Sequence, residues 1–120
     1  IIYVYKENGG MHTAHNKAYE LIDTELNMCI DSDDYVGDNA IEKIKLFWQK
    51  NKSEKYAGII GLDADFKNNV IGKKFDNQLK TTTLGGYYSN GGRGDKKLIY
   101  RTDVIKKYPP YPTFKGEKYV

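Results

Sequence analysis

Short apolar runs alternate along this chain with stretches of helical periodicity, and that order constrains the fold more than any single residue does. Ile1-Ile2-Tyr3-Val4-Tyr5 is β-branched and aromatic and stops at Asn8-Gly9-Gly10, which predicts a strand feeding a turn. Over residues 11–22, Ala14, Ala18, Leu21 and Ile22 share one helical face. Leu26-Asn27-Met28-Cys29-Ile30 predicts a buried strand, with Cys29 as a small core residue. A second helix is expected to start near Asp38, a good N-cap type, and to fade near Asn51-Lys52-Ser53. Its core stripe is Ile41, Ile44, Phe47 and Trp48.

Residues 56–62 read as another inner strand, and residues 63–69 as a hairpin tip that returns through Val70-Ile71-Gly72. Residues 97–101 predict a strand, 102–107 a short helix, and Pro109-Pro110-Tyr111-Pro112 an extended breaker. Between residues 73 and 95 periodicity fails, and the stretch is either a mobile loop or an active-site surface. The order of elements predicts an α/β fold with a mainly parallel sheet flanked by helices and a hairpin insertion. Ligands of such sheets collect at the carboxyl ends of strands, which directs attention to the residues after Ile30.

Composition matters here for the core. Apolar residues make up 39 % of the 120, yet 11 of them are tyrosines. Without the tyrosines roughly 30 % remain to build an interior, which is thin for a chain this short. The expectation is that residues 1–120 are part of one larger domain. Exposed sheet edges would then favour pairing with a second copy. The charge, 19 basic against 16 acidic residues, is dispersed and argues against nucleic-acid binding. No apolar run approaches the length of a membrane span. A single cysteine excludes an internal disulfide and fits a reducing compartment.

Asp31-Ser32-Asp33-Asp34 places three carboxylates within four residues at the predicted strand end. Such a group either holds a divalent cation or forms a solvated turn that caps the next helix. Magnesium and manganese commonly take one or two carboxylates and complete their shell with water and phosphate oxygens. A calcium loop starting at Asp31 fails, because Tyr35 and Val36 stand where an oxygen ligand and a glycine are required. Asp63 and Asp65 read as turn residues of the hairpin. His12 and His15 have zinc-compatible spacing, with no third ligand evident.

Tyr5-Lys6-Glu7-Asn8-Gly9-Gly10, then Ala14-His15-Asn16-Lys17-Ala18, then Met28-Cys29-Ile30-Asp31-Ser32-Asp33-Asp34 closely resembles the family 2 glycosyltransferases of the GT-A fold. The ending, Tyr108-Pro109-Pro110-Tyr111-Pro112-Thr113-Phe114-Lys115-Gly116-Glu117-Lys118-Tyr119, is similar to a stretch of capsule and surface-polysaccharide members. The resemblance implies a partial GT-A (nucleotide-diphospho-sugar transferase) fold, with residues 1–120 as the central and C-terminal part of the domain and its N-terminal nucleotide-binding strands absent. It also implies an inverting, metal-dependent transfer from a nucleotide-diphospho-sugar, a UDP-sugar by expectation, to a saccharide or lipid-linked acceptor. The setting it implies is bacterial polysaccharide synthesis at the cytoplasmic face of the membrane.

By the same resemblance Asp31 faces the nucleotide and Asp33, with Asp31, holds Mg²⁺ or Mn²⁺ bridging the diphosphate. Asp34 either supports this site or caps the following helix. Glu117 falls where the family has its catalytic base, although Lys118 stands where many members carry a second acid. Asn16 matches a family position and would bond the base or ribose. His15 replaces the usual arginine and lacks its forked contact to phosphate.

Arg93, in the glycine-rich stretch 90–95, is a candidate phosphate contact on a loop that closes over the donor; an ordinary solvated loop reads the same way. The isolated segment is expected to lack transferase activity. The rival reading is a non-catalytic carbohydrate- or protein-binding module with Tyr87, Tyr88 and Tyr111 as stacking platforms.

Overall fold

A computed structural model describes residues 1–117, so Lys118 and Tyr119 of the C-terminal motif lie outside the described residues. The chain forms a mixed α/β arrangement in the order α1 (Met11–Leu21), β1 (Leu26–Met28), α2 (Ala40–Asn51), β2 (Gly58–Leu62), α3 (Leu84–Ser89), β3 (Lys96–Arg101) and α4 (Thr102–Ile105). The three strands are arranged β1-β3-β2.

β2 and β3 run antiparallel in the register Gly58↔Tyr100, Ile59↔Ile99, Ile60↔Leu98, Gly61↔Lys97 and Leu62↔Lys96. The expected mainly parallel sheet is thereby corrected. Parallel neighbours need a crossover helix packed on a sheet face, and the connection between β2 and β3 offers only the six-residue α3. Ile1 to Tyr5 form no strand: the segment pairs with nothing among the described residues, and its side chains are open to water. β-propensity alone does not make a strand without a ladder partner.

The chain divides into two compact units. One takes Ile1–Asn27 together with the segment from Arg101 onward, and the other is Met28–Tyr100. In the first, α1 begins after Gly10, whose φ of 91° is reached without strain only by glycine. Lys6 steadies that entry by donating to Thr13 Oγ1 at 2.7 Å. The predicted apolar face of α1 is corrected: Ala14, Ala18 and Leu21 are exposed, and the buried residue is His12. α4 is tied to the residues before β1, because Thr102 N–H donates to the Glu25 carbonyl at 3.0 Å and Asn27 Nδ2 donates to Thr102 Oγ1 at 2.9 Å.

In the second unit the buried apolar residues are Trp48, Tyr87 and Ile99. Of the predicted α2 stripe only Trp48 is buried, whereas Ile41 and Phe47 are half exposed. α2 is preceded by Asn39 in the left-handed region (φ 58°), with no side-chain cap, so Asp38 does not serve as the predicted cap. Glu42 in its first turn and Lys50 in its last complement the helix dipole. Cys29 is exposed and not a core residue, because β1 stops one position earlier. The predicted hairpin is present: Ala64 bridges Val70, and Asp65 N–H donates to the Asn69 carbonyl at 2.9 Å.

The aperiodic stretch 73–95 is organised around Lys96 and Tyr87. The buried Lys96 ammonium donates to the carbonyls of Ile71 (3.1 Å), Arg93 (3.0 Å), Gly94 (3.3 Å) and Asp95 (2.9 Å), and lies 5.7 Å from the centre of the Tyr87 ring. Tyr87 Oη donates to the Lys73 carbonyl at 3.1 Å, and its ring packs edge-on against Phe75 and Tyr88. Gly72 and Gly94, at φ 73° and 76°, allow the two backbones to touch; a Cβ on Gly72 would stand 2.2 Å from the Arg93 carbonyl oxygen. Thr83 caps α3 by accepting from Gly86 N–H at 2.9 Å.

Candidate functional site

The acidic turn follows β1 by two residues, at the carboxyl end of that strand. Asp34 N–H donates to the Asp31 carbonyl at 3.1 Å, which closes the turn and holds all three acids exposed. Asp34 is drawn off by Lys97 of β3, whose Nζ stands 3.7 Å from its Oδ2. It does not cap α2, so of its two expected roles the capping one is corrected. Among the described residues the carboxylates of Asp31 and Asp33 make no hydrogen bond or ion pair. They are therefore hard, uncommitted oxygen donors, a set that fits magnesium or manganese binding through one or two carboxylates. No group of three or more His, Cys, Asp and Glu residues gathers for a metal among the described residues. Any cation here would take the rest of its shell from water or phosphate.

Arg93 belongs to the same unit. Its carbonyl accepts from Lys73 N–H and from Lys96 Nζ, both at 3.0 Å, so its backbone is fixed while the side chain is exposed. The expected mobile loop is thus anchored at Arg93.

His15 and Asn16 lie together in the other unit. Asn16 clamps Tyr111 through both ends of its amide: Nδ2 donates to the Tyr111 carbonyl at 2.9 Å, and Oδ1 accepts from Tyr111 N–H at 2.8 Å. Spacing in the sequence cannot reveal a contact across 95 positions. The His15 ring is packed edge-on between Tyr19 and Tyr111, with centroids 5.9 and 6.0 Å away. The Asn16 amide is thus occupied by backbone, and the His15 ring by aromatic packing. Glu117 is exposed at the end of a turn in which its N–H donates to the Phe114 carbonyl at 3.2 Å.

Tyr87 is buried and unavailable as a stacking platform, whereas Tyr88 and Tyr111 keep about half of their surface open. Two residues that the sequence did not single out come together beside the acidic turn. Tyr35, directly after Asp34, stacks on Phe66 of the hairpin tip with centroids 5.6 Å apart and planes 24° from parallel. Asp65 fixes that tip by accepting from Lys67 N–H (2.8 Å), Asn69 N–H (2.9 Å) and Asn69 Nδ2 (2.9 Å). The bond from the Asn69 side chain is the main reason its carboxyl is held below the usual aspartate value.

No helix among the described residues is long and apolar enough to cross a membrane. No protein-family model, curated protein or solved structure matches the chain.

Proposed function

We propose that this chain serves a glycosyltransferase that moves a sugar from a nucleotide-diphospho-sugar to an acceptor hydroxyl in the synthesis of surface polysaccharide. The observation that carries the reading is the acidic turn after β1, where Asp31 and Asp33 keep their carboxylates uncommitted while Asp34 is paired to Lys97. The order of the three sequence motifs supports it.

Asp33, with Asp31, would hold the magnesium or manganese, and Asp31 would also face the nucleotide. A bound cation would stabilise the negative charge that the departing nucleoside diphosphate acquires. Arg93 adds a guanidinium contact to phosphate from its anchored loop. The acceptor hydroxyl gives up its proton to a base, the role the resemblance assigns to Glu117, as that oxygen bonds to the anomeric carbon. The bond from that carbon to the phosphate oxygen breaks, and its electron pair leaves on the diphosphate. A single displacement of this kind inverts the anomeric centre.

The test is manganese-induced broadening of amide NMR signals, with and without uridine diphosphate. Broadening centred on residues 31–34 that is strengthened by the nucleotide and lost in Asp33→Asn is the expected result. Broadening elsewhere, or an unchanged pattern in Asp33→Asn, rejects the assignment.

A further inference from the structure

We infer that the N-terminal end of α1 is a binding site for a phosphate group, either inorganic phosphate or the phosphoryl group of a small molecule. The site lies in the unit that does not contain the acidic turn, and it stands independently of the transfer reading. Its starting point is a buried side chain with nothing to bond. His12, in the first turn of α1, is only 3 % exposed, and among the described residues neither Nδ1 nor Nε2 has a hydrogen-bond partner. A neutral imidazole carries one N–H donor and one acceptor, and leaving both unmet inside a protein has a cost that a bound ion removes.

Helix geometry decides which way that ring is aimed. The Cα–Cβ bond of a helical residue leans toward the N-terminus, and its side chain covers the preceding turn. For His12 that turn is the start of α1, where Gly10 supplies no side-chain cap. Thr13 N–H donates to the Gly10 carbonyl at 3.2 Å and Gly10 N–H donates to Asn8 Oδ1 at 3.0 Å. The N–H groups between them, of Met11 and His12, have no acceptor among the described residues. Two main-chain donors are thus free at the positive end of an eleven-residue helix, beside the orphaned imidazole.

Lys6 adds a full charge to the same turn. Its Nζ donates to Thr13 Oγ1 and to the Glu7 carbonyl, each at 2.7 Å, which fixes the ammonium beside the helix start and leaves its third proton unused. Gly9 keeps the space open: a Cβ there would stand 3.1 Å from Thr13 Oγ1 and 3.6 Å from Lys6 Nζ. An ammonium, two main-chain N–H groups and a ring N–H select an anion rich in acceptors. A phosphate group offers them more oxygens than the two of a carboxylate, and its negative charge meets both Lys6 and the helix dipole.

The test is a titration of the full 120-residue chain with inorganic phosphate, with methyl phosphate and, as the ionic-strength control, with sodium chloride. The NMR signals to follow are the Met11 and His12 amides and the His12 ring nitrogens. Phosphate should move them saturably, and sodium chloride should not. Saturation by methyl phosphate at similar concentrations identifies a phosphorylated molecule as the source; saturation by inorganic phosphate alone identifies the free ion. Lys6→Gln should weaken binding about threefold or more, and His12→Phe, which keeps a planar ring without nitrogens, about fivefold. Lys6 is exposed, so its variant decides the matter even where replacing the buried histidine unfolds the chain. No saturable shift at Met11 and His12, equal shifts in sodium chloride, or unchanged affinity in Lys6→Gln or in folded His12→Phe overturns the site.

Discussion

Replacing Lys96 by methionine keeps an unbranched apolar stem of similar length and removes the ammonium. The four carbonyls of Ile71, Arg93, Gly94 and Asp95 then lose a charged donor that has three protons for four acceptors. Hydrogen bonds to a charged group contribute about 1.5–3 kcal/mol each, so the gross loss is about 5–9 kcal/mol. Two effects offset it. The residues that bear these carbonyls are exposed, so water replaces part of the lost bonding. The cost of burying an ammonium, several kcal/mol by itself, also disappears.

The net expectation is a destabilisation of about 2–4 kcal/mol. Urea denaturation should show a lower midpoint with the slope unchanged. Native-state hydrogen exchange should show the Lys73 amide, which donates to the Arg93 carbonyl, exchanging faster than amides of α2. A shift below about 0.5 kcal/mol, with Lys73 protection retained, would refute the idea that this ammonium organises residues 71–95.

Gly72→Ala should destabilise the same region by about 1–3 kcal/mol in thermal melts, because alanine is strained at φ 73° and its methyl meets the Arg93 carbonyl. Asn16→Ala should cost about 1–2 kcal/mol and speed proteolysis near Tyr111, since two hydrogen bonds to that backbone vanish; unaltered cleavage would count against the clamp. The Asp65 carboxyl is lowered in the folded chain, so its contribution is fully present above 3.8, its ordinary value, and is lost as pH falls through the lower folded one. Amide exchange at Lys67 and Asn69 should report that loss in acid, and Asp65→Asn should flatten the profile.

The elements legible in the sequence are those that local chemistry decides. α1 and α2 are runs free of glycine and proline, the hairpin at Asp65 carries its own turn residues, and β2 is a short apolar run between glycine and acid. Strand direction was not legible, because the order of elements implies a parallel pair only when the connection contains a crossover helix. The span from 73 to 95 was not legible for a different reason: its order comes from one lysine lying outside it and one tyrosine within it, and tertiary contacts leave no period in the sequence. At the candidate site, the acidic turn was legible from charge density alone. The partner that distinguishes its members, Lys97 for Asp34, lies 63 residues away in sequence.

The pairing of Asp34 with Lys97 also sets how much negative charge the turn presents. The Lys97 side chain is 24 % exposed and the Asp34 side chain 55 %, at a separation of 3.7 Å, so the pair itself adds little to stability, about 0–1 kcal/mol. Its electrostatic effect on the neighbouring carboxylates is larger than its effect on folding. With Lys97 present, three acids act on a cation as about two net charges. Lys97→Ala restores the third and leaves β3 backbone pairing intact, because the ladder uses main-chain groups.

Manganese affinity measured by broadening at residues 31–34 should therefore rise, by roughly two- to fivefold at low ionic strength. The gain should shrink in 0.15 M salt, where the Debye length is about 8 Å. Asp34→Asn in the Lys97→Ala background should return affinity to its starting level, since the added charge is removed again. If affinity instead falls in Lys97→Ala, lysine positions the turn rather than tempering its charge, and the division of labour between Asp34 and Asp33 argued here is wrong.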